Sequence, residues 1–325
     1  MSDNKNLINA QKAKNDEFYT HYDEIAYEVE VYIKEDPNIF EGKTILLPCD
    51  NYEWSNFTKY FLDNFDRFKI KKLISTAYIK EELEDFTSDK PRGGVCLIKD
   101  SDGVKTYRLN SDGDFRSREV TNFRDEADFI ITNPPFSLFR KFIDWVLASN
   151  VKFLIIGTAL MCTYKNMINR IVKGEIHFGS KGICSMSFFS PKDNKDADFA
   201  IICWFTNITN KNSKKVAFNT YEYNILNNKK LHGEYKKYDN YDAIDCPYID
   251  SIPIDYKGMM GVPITFLDKY DPDKFEIVGF TNQNVYNDDI EFYDYKQVNS
   301  IVVTDCILEG KEIFSRIFIR NKNVK

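Results

Sequence analysis

"DFIITNPPFSLFRKFIDWV", residues 128–146, is the stretch that decides the fold. An apolar run ends in a polar amide and two prolines, and a helical pattern follows at once. Leu138, Phe139, Phe142, Ile143, Val146 and Leu147 fall on one helical face, with Ser137 placed to cap it. A wholly apolar strand running into an amphipathic helix is one half of a βαβ unit. Such strands build parallel sheets covered on both faces.

The neighbouring sequence repeats the theme. "THYDEIAYEVEVYI" (20–33) reads as a helix, with Thr20 and Asp23 resembling a capping box. "KTILL" (43–47) is a buried strand stopped by Pro48, "SNFTKYFLDNF" (55–65) a helix, and "KKLISTAYI" (71–79) a second strand. "GVCLIKDSDGVKTYRL" (94–109) reads as a hairpin around Asp102-Gly103. "VKFLIIG" (151–157) and "YKNMINRIVK" (164–173) supply a further strand and helix. After about residue 175 the alternation gives way to consecutive strands: "EIHFG", "GICSMSFF" and "FAIICWFT", then "SIVVTD" and "EIFSRIFIR" near the end. In open α/β sheets ligands bind beyond the carboxyl ends of the strands, where Asp50 and Asn133 sit.

Composition narrows the function. The chain has 325 residues, 43% of them apolar and 15% aromatic, enough to bury a large core. A net charge of −6 argues against coating nucleic acid through bulk charge. The positive charge is local: residues 205–237 hold seven Lys against two Glu. Seven scattered cysteines with no CxxC pair, and three separated histidines, suggest neither a disulfide framework nor a metal centre. The polar opening "MSDNKNLINAQKAKND" is no secretory signal, and no apolar run reaches the ~18 residues of a bilayer span. A soluble cytoplasmic protein is expected, without metal or membrane partner.

The chemistry concentrates at Asn133-Pro134-Pro135-Phe136. Each proline fixes its own φ and lacks an N–H, and the residue before a proline is held extended. The segment is therefore stiff and offers acceptors: the Asn133 side-chain oxygen and the Pro134 carbonyl. Phe136 adds a flat apolar face. Two acceptors beside a ring suit an exocyclic amino group on a heterocycle. Its lone pair is conjugated into the ring, and drawing both hydrogens toward acceptors favours the geometry in which that pair attacks an electrophile. Acceptors aimed at the positive charge that develops stabilise the transition state. The plain alternative, a strand-terminating turn, explains Asn-Pro-Pro but not its combination with the strand, the Phe and the helix.

"TNPPF" resembles the [DNS]-P-P-[YFW] motif of S-adenosylmethionine-dependent amino-methyltransferases. With "KNDEFYT", "SDGDFRS", "TNPPFSLFR", "KYDNYDAI" and "GVPITFL", the chain from about Lys14 to about Phe275 is similar to the EcoRI-type DNA adenine-N6 methyltransferases. The resemblance implies a Rossmann-like α/β methyltransferase sheet with helices on both faces plus a target-recognition region. It implies a catalytic core over 1–160, target recognition over 161–250, and a C-terminal segment over 251–325 that returns to or flanks the core. It places Asn133, Pro134, Pro135 and Phe136 on the target base. It places Glu17, Phe18, Tyr19 and Thr20, with Asp50, near the methionine end of the cofactor, S-adenosyl-L-methionine. Asp114 and Phe115 would hold the cofactor's adenine. An aromatic face near the sulfonium would be favourable by cation–π attraction.

The pattern departs in two places. The loop after the first strand is "PCDNYEW", with no glycine between Gly42 and Gly93, which excludes a dinucleotide fingerprint there. The second strand lacks an acid for the ribose hydroxyls, with Glu81 or Glu82 as weak substitutes.

The expected activity is direct methyl transfer to a flipped adenine in double-stranded DNA, at a site such as GAATTC, by the modification enzyme of a restriction–modification system. Phosphate contacts are expected from Arg140, Lys141, Lys165, Arg170, Lys211, Lys214 and Lys215 as a cluster. A monomer is expected, with no stable complex with a cognate endonuclease. The alternatives are the same fold acting on RNA adenine or protein glutamine, and an inactive sequence-specific DNA-binding protein.

Overall fold

The structure is a computed structural model that describes residues 18–79, 93–191, 193–209, 217–280 and 306–324. The chain divides into two compact units. The first spans Met1–Met161 and Ile176–Lys211; the second spans Cys162–Glu175 and Asn212–Lys325.

The first unit is a Rossmann-like α/β sheet. Its centre is four parallel strands: β2 (Thr44–Leu47), β3 (Lys72–Ala77), β6 (Phe129–Thr132) and β7 (Lys152–Thr158), in the order β3-β2-β6-β7. The hairpin β4 (Val95–Asp100) and β5 (Gly103–Arg108) extends it antiparallel beyond β3. On the other side, β10 (Lys195–Thr206) joins β7 antiparallel, followed by β9 (Cys184–Ser190) and β1 (Tyr19–Thr20), with β8 (His177–Phe178) also on β10. Residues 184–206, expected within the target-recognition region, thus complete the sheet of the first unit.

Helices cover both faces. Trp204 and Phe205 are successive residues of β10 and so point to opposite sides. Trp204 meets Phe57 of α2 (Asn56–Asp63) at 5.9 Å between ring centroids. Phe205 meets Phe139 of α4 (Phe139–Leu147) at 5.7 Å. The helix α1 (Tyr22–Glu35) lies beside α2, where Tyr22 meets Tyr60 edge-on and Arg67 pairs with Glu30. The helix α3 (Arg118–Glu126) lies beside α4, where Trp145 Nε1 donates to Thr121 Oγ1 at 3.1 Å.

Helix starts differ from the sequence reading at two points. Thr20 pairs with Phe188 in the sheet, so α1 begins after His21, which makes no side-chain cap. Ser137 falls inside a 3-10 turn, Phe136–Leu138, so α4 begins at Phe139 and Ser137 does not cap it. Two stiff prolines leave the chain needing one tight turn before it can enter an α-helix. Ser55 does cap α2, accepting from the Phe57 and Thr58 backbone N–H groups.

The second unit holds α5 (Lys165–Val172), α6 (Tyr221–Asn227) and a four-stranded sheet. The sheet order is β11 (Ala243–Asp245), β12 (Met259–Val262), β16 (Ile317–Asn321), β13 (Phe275–Phe280); a small hairpin pairs β14 (Ile307–Leu308) with β15 (Lys311–Glu312). "KYDNYDAI" and "GVPITFL" place Tyr238, Ala243, Ile244, Gly261, Val262, Phe266 and Leu267 in this unit's interior. Tyr238 donates to Asp245 Oδ1, which also accepts from Arg316 Nε at 3.0 Å, and Gly261 passes so close to the Tyr238 hydroxyl that a Cβ would lie 2.2 Å from it. The stretch "SIVVTD" lies outside the described residues.

Candidate active site

The loops after β2 and β6 converge with the short strand β1. After β2, the chain turns at Asn51, whose carbonyl accepts from Trp54 N at 3.2 Å and Ser55 N at 2.8 Å, and enters α2. No glycine is needed in this turn. Glycine is needed next door: a Cβ on Gly94 would lie 2.5 Å from the Gly113 Cα, and one on Gly113 would lie 2.3 Å from the Ala77 carbonyl oxygen. Gly113 also has φ +84°, a conformation L side chains rarely adopt. The "SDGDFRS" loop is thereby pressed onto the carboxyl end of β3.

The strand β1 is held across these loops by three contacts. Tyr19 stacks on Trp54 with ring centroids 4.0 Å apart. Asn56 Nδ2 donates to the Thr20 carbonyl at 2.8 Å. Asn133 Nδ2 donates to the Phe18 carbonyl at 3.0 Å. The last contact fixes the amide's orientation, since turning it over would set two oxygens at that distance. Asn133 Oδ1 is buried and has no hydrogen-bond partner among the described residues; the same holds for Thr20 Oγ1. A buried acceptor without a donor is costly and is open to completion by a ligand or a water. The Pro135 carbonyl is already taken by Leu138 N at 2.9 Å.

The other candidates are placed as follows. Phe136 is buried, at 4% exposure, with its ring edge-on to Phe188, so little of its face is open. Phe18 packs edge-on against Phe199 at 4.7 Å. Asp50 is buried, and both its carboxylate oxygens are occupied: Ser55 Oγ donates to Oδ1 at 2.6 Å and Thr132 Oγ1 to Oδ2 at 2.7 Å. Burial pushes its carboxyl up to about 6, against the pull of those two hydroxyls. Burial, and secondarily the Asp50 charge, pushes the adjacent Cys49 thiol well up. Asp114 is paired bidentately with Arg116, Nε reaching Oδ1 at 2.8 Å and Nη2 reaching Oδ2, and the guanidinium holds its carboxyl below the usual range. Phe115 is buried against Phe142 and Trp145 at 5.1 and 5.6 Å. Glu17, Glu81 and Glu82 lie outside the described residues.

The basic candidates are spread over both units. Arg140 and Lys141 lie on α4 in the first unit, Lys141 exposed. Lys165 and Arg170 lie on α5 in the second unit, where Arg170 pairs with Glu175 at 2.8 Å. Lys211, Lys214 and Lys215 lie outside the described residues.

Sequence reasoning passed over Thr132, Ser55 as a partner of Asp50, and Trp54. The available signal was a lone hydroxyl closing the apolar run "DFIIT", one residue before the candidate amide.

Among the described residues, no group of His, Cys, Asp and Glu side chains could hold a metal ion, and no helix is long and apolar enough to cross a membrane.

Comparison with known proteins gives the family. The family described as adenine-specific methyltransferase EcoRI matches residues 6–322. The chain is 33% identical over 350 aligned residues to the type II methyltransferase M.EcoRI of Escherichia coli, covering 99% of this chain and 98% of that protein. It is 32% identical to the type II methyltransferase M.MgeORF184P of Mycoplasma genitalium, covering 97% and 98%, and 32% identical to M.MpnI of Mycoplasma pneumoniae, covering 83% of each. No solved structure matches. With a Rossmann-like sheet, an Asn-Pro-Pro-Phe turn at the end of a parallel strand and a family match from end to end, the chain belongs to the EcoRI family of adenine-specific methyltransferases.

Proposed function

We propose that this adenine-specific methyltransferase modifies duplex DNA at a specific site, transferring a methyl group from S-adenosylmethionine to N6 of an adenine turned out of the helix. The observation that carries the reading is the unpartnered, buried Asn133 Oδ1, held in place by its own Nδ2 on the Phe18 carbonyl. The oxygen accepts one N6 hydrogen and the Pro134 carbonyl the other. As N6 attacks, positive charge grows between two fixed acceptors. No cysteine nucleophile is required, and the carbonyl tether keeps the amide from turning its donor to the base.

The residues present fit the cofactor in part. Thr20 supplies a buried hydroxyl without a partner, and the Gly94–Gly113–Ala77 contact lets backbone approach closely at the end of β3. Phe18, Tyr19 and Thr20, with Glu17 before them, would line the methionine end; the Asp112–Arg116 loop, with Asp114 and Phe115, would line the adenosine end. When bound, S-adenosylmethionine supplies an electrophilic methyl group. For Asp114 to accept from the adenosine it must share its carboxylate with Arg116.

Three relatives carry the name type II methyltransferase, which supports a modification enzyme of a restriction–modification system. Adenine N6 lies within the stack, so the enzyme must flip the base at a cost of a few kcal/mol. The test is incubation with plasmid DNA and cofactor, followed by methylation-aware sequencing. N6-methyladenine at one recurring sequence supports the reading. Transfer of labelled methyl groups to RNA or protein instead, or no transfer at all, overturns it.

A further inference from the structure

We propose that Asp50 is a positioning residue for Asn133, acting through the Thr132 hydroxyl, and that it does not contact the cofactor. The inference rests on the role of Asn133 given above.

The geometry runs in one chain. Both Asp50 oxygens are engaged by protein hydroxyls, at 2.6 Å from Ser55 Oγ and 2.7 Å from Thr132 Oγ1. Its backbone is engaged as well: its N–H donates to the Thr76 carbonyl at 2.8 Å, and its carbonyl accepts from Ser75 Oγ at 2.5 Å. The residue is buried at 5% exposure, and Thr132 and Ser75 are fully buried. A buried carboxylate tied in this way has little left for a cofactor amino group. It has much to give to the strand ends around it. The carboxylate ties the carboxyl end of β2 to the α2 N-terminus through Ser55 and to the last residue of β6 through Thr132, while the backbone of Asp50 ties it to β3 through Ser75 and Thr76.

Thr132 is the residue before Asn133. The strand β6 is bonded to β2 only as far as Leu46–Ile130 in the pairing register, so its last two residues run past that ladder. The Thr132–Asp50 bond secures this overhang on the β2 side. On the other side β6 is paired with β7 as far as Thr132–Ile155. Beyond Thr132, among the described residues, the Asn133 side-chain nitrogen is anchored by the Phe18 carbonyl at 3.0 Å. The charged acceptor and its hydroxyl donor therefore set where the amide starts, and the Phe18 carbonyl sets where it points. A hydrogen bond to an ionised group is stronger than a neutral one, which suits a clamp placed one residue from the reacting atoms.

The experiment compares Thr132→Val, Thr132→Ser and Asn133→Ala with the wild-type enzyme. It measures the single-turnover rate of methyl transfer to duplex DNA, the cofactor Kd by calorimetry, and Tm. Thr132→Val is expected to slow transfer on the order of ten- to a hundred-fold, as small misplacements near a reacting centre do. Its cofactor Kd should stay within about twofold of wild type, which separates loss of positioning from loss of binding. Thr132→Ser keeps the hydroxyl and should restore the rate. Thr206→Val removes an equally buried hydroxyl, bonded to the Phe153 carbonyl at 2.7 Å, and should lower Tm without slowing transfer. Should Thr132→Val fail to fold, Thr132→Cys keeps the volume with a weak donor and should show a smaller loss in the same direction.

A wild-type rate in Thr132→Val, a loss matched by weaker cofactor binding, or an equal slowing in Thr206→Val overturns the proposal. If Asn133→Ala retains full activity, the Asn133 reading itself falls. If Asn133→Ala is inactive and Thr132→Val is not slowed, only the positioning role falls.

Discussion

The side-chain nitrogen of Asn133 donates to the main-chain carbonyl of Phe18, 115 residues earlier in the chain, at 3.0 Å. The bond joins the described end of the "DEFYT" segment to the turn that carries the proposed base acceptors. It also makes Asn133 the residue that both holds β1 in place and presents Oδ1. Replacing it by Ala is expected to lower kcat by at least about 100-fold, the size of effect seen on removing one group that stabilises transition-state charge. Asn133→Asp should be as slow, because a carboxylate cannot donate to the Phe18 carbonyl and is repelled by it. Steady-state kinetics with duplex DNA, beside a melting curve showing a folded protein, check both.

Asp50 gives a pH signature of two opposing slopes. Burial raises its carboxyl from the usual aspartate range to about 6, with the Ser55 and Thr132 hydroxyls opposing the rise. An unfolded aspartate titrates near ~3.9, so between those values the folded chain holds a proton that the unfolded chain has released. This group's stability contribution is thus present at low pH and lost as pH rises through about 6. Activity runs the other way. Two donors need the ionised carboxylate, so protonation forces one hydroxyl to turn and loosens β6. The neighbouring Cys49 thiol is pushed well up by burial and stays neutral throughout. Transfer at saturating DNA and cofactor should therefore fall as pH drops below about 6, and Asp50→Asn should be slow with no acid limb of its own. A wild-type rate that is level from about pH 5 to 8 contradicts this account.

Much of the first unit was legible because its central strands are largely apolar and its helices amphipathic. "KTILL", "DFIIT" and "VKFLIIG" all became parallel strands of one sheet. What could not be read was pairing over distance. Thr20 looked like a helix cap, yet it pairs with Phe188, 168 positions later by number, because β1 lies on β9. Asp50 and Asp114 looked alike, as acids in loops near the cofactor. Their partners differ: Asp50 is enclosed by hydroxyls on two other elements, while Asp114 is paired with Arg116 two residues away. Neither spacing nor hydropathy encodes that difference. The Asn133-Pro134-Pro135 turn at the end of β6 was readable since its stiffness is local, written in two consecutive prolines.

Glu28 is a buried carboxylate with no place in the proposed chemistry. It sits on α1 at 0% exposure and accepts from Ser180 N at 2.8 Å, Ser180 Oγ at 2.6 Å and the Tyr32 hydroxyl at 3.2 Å. It thereby fastens α1 to the loop before β9. Glu28→Ala strands these donors, and a loss of about 3 kcal/mol, or roughly 6–12 °C in Tm, is expected. Gly179→Ala strikes the same contact, since its Cβ would lie 2.5 Å from Glu28 Oε1 and 2.6 Å from Trp204 Cβ. The double variant should lose less than the sum of the two, as neighbours sharing one contact do. Calorimetric unfolding of the two single variants and the double variant measures the coupling.

DNA binding by a chain of net charge −6 has to rest on local basic surface. If Arg140, Lys141, Lys165, Arg170, Lys211, Lys214 and Lys215 contact phosphates, log K falls linearly with log salt, and each contact contributes about 0.9 to the steepness of that fall. Lys141 is exposed on α4, so Lys141→Ala should reduce the slope by about that much without changing the methylated sequence. An affinity flat from low to physiological salt would remove the whole group from the interface.

Gly113 separates the structural and ligand-binding meanings of the "SDGDFRS" loop. Its φ of +84° and the 2.3 Å approach of a Cβ to the Ala77 carbonyl oxygen mean that Gly113→Ala must move the loop off the end of β3. The left-handed conformation alone costs about 1–2 kcal/mol in an L residue, so Tm is expected to fall. Asp114 and Phe115 travel with that loop. If they hold the adenosine end of the cofactor, calorimetry should show weaker cofactor binding in Gly113→Ala at a temperature where the variant is folded. Asp114→Ala should weaken it too, without the same loss of Tm, because its half-exposed pairing with Arg116 stabilises little. Arg116→Ala frees the Asp114 carboxylate and should leave cofactor affinity unchanged or strengthen it. A lower Tm with unchanged cofactor affinity in Gly113→Ala, and no effect in Asp114→Ala, would confine this loop to closing the sheet and move the adenosine contacts elsewhere.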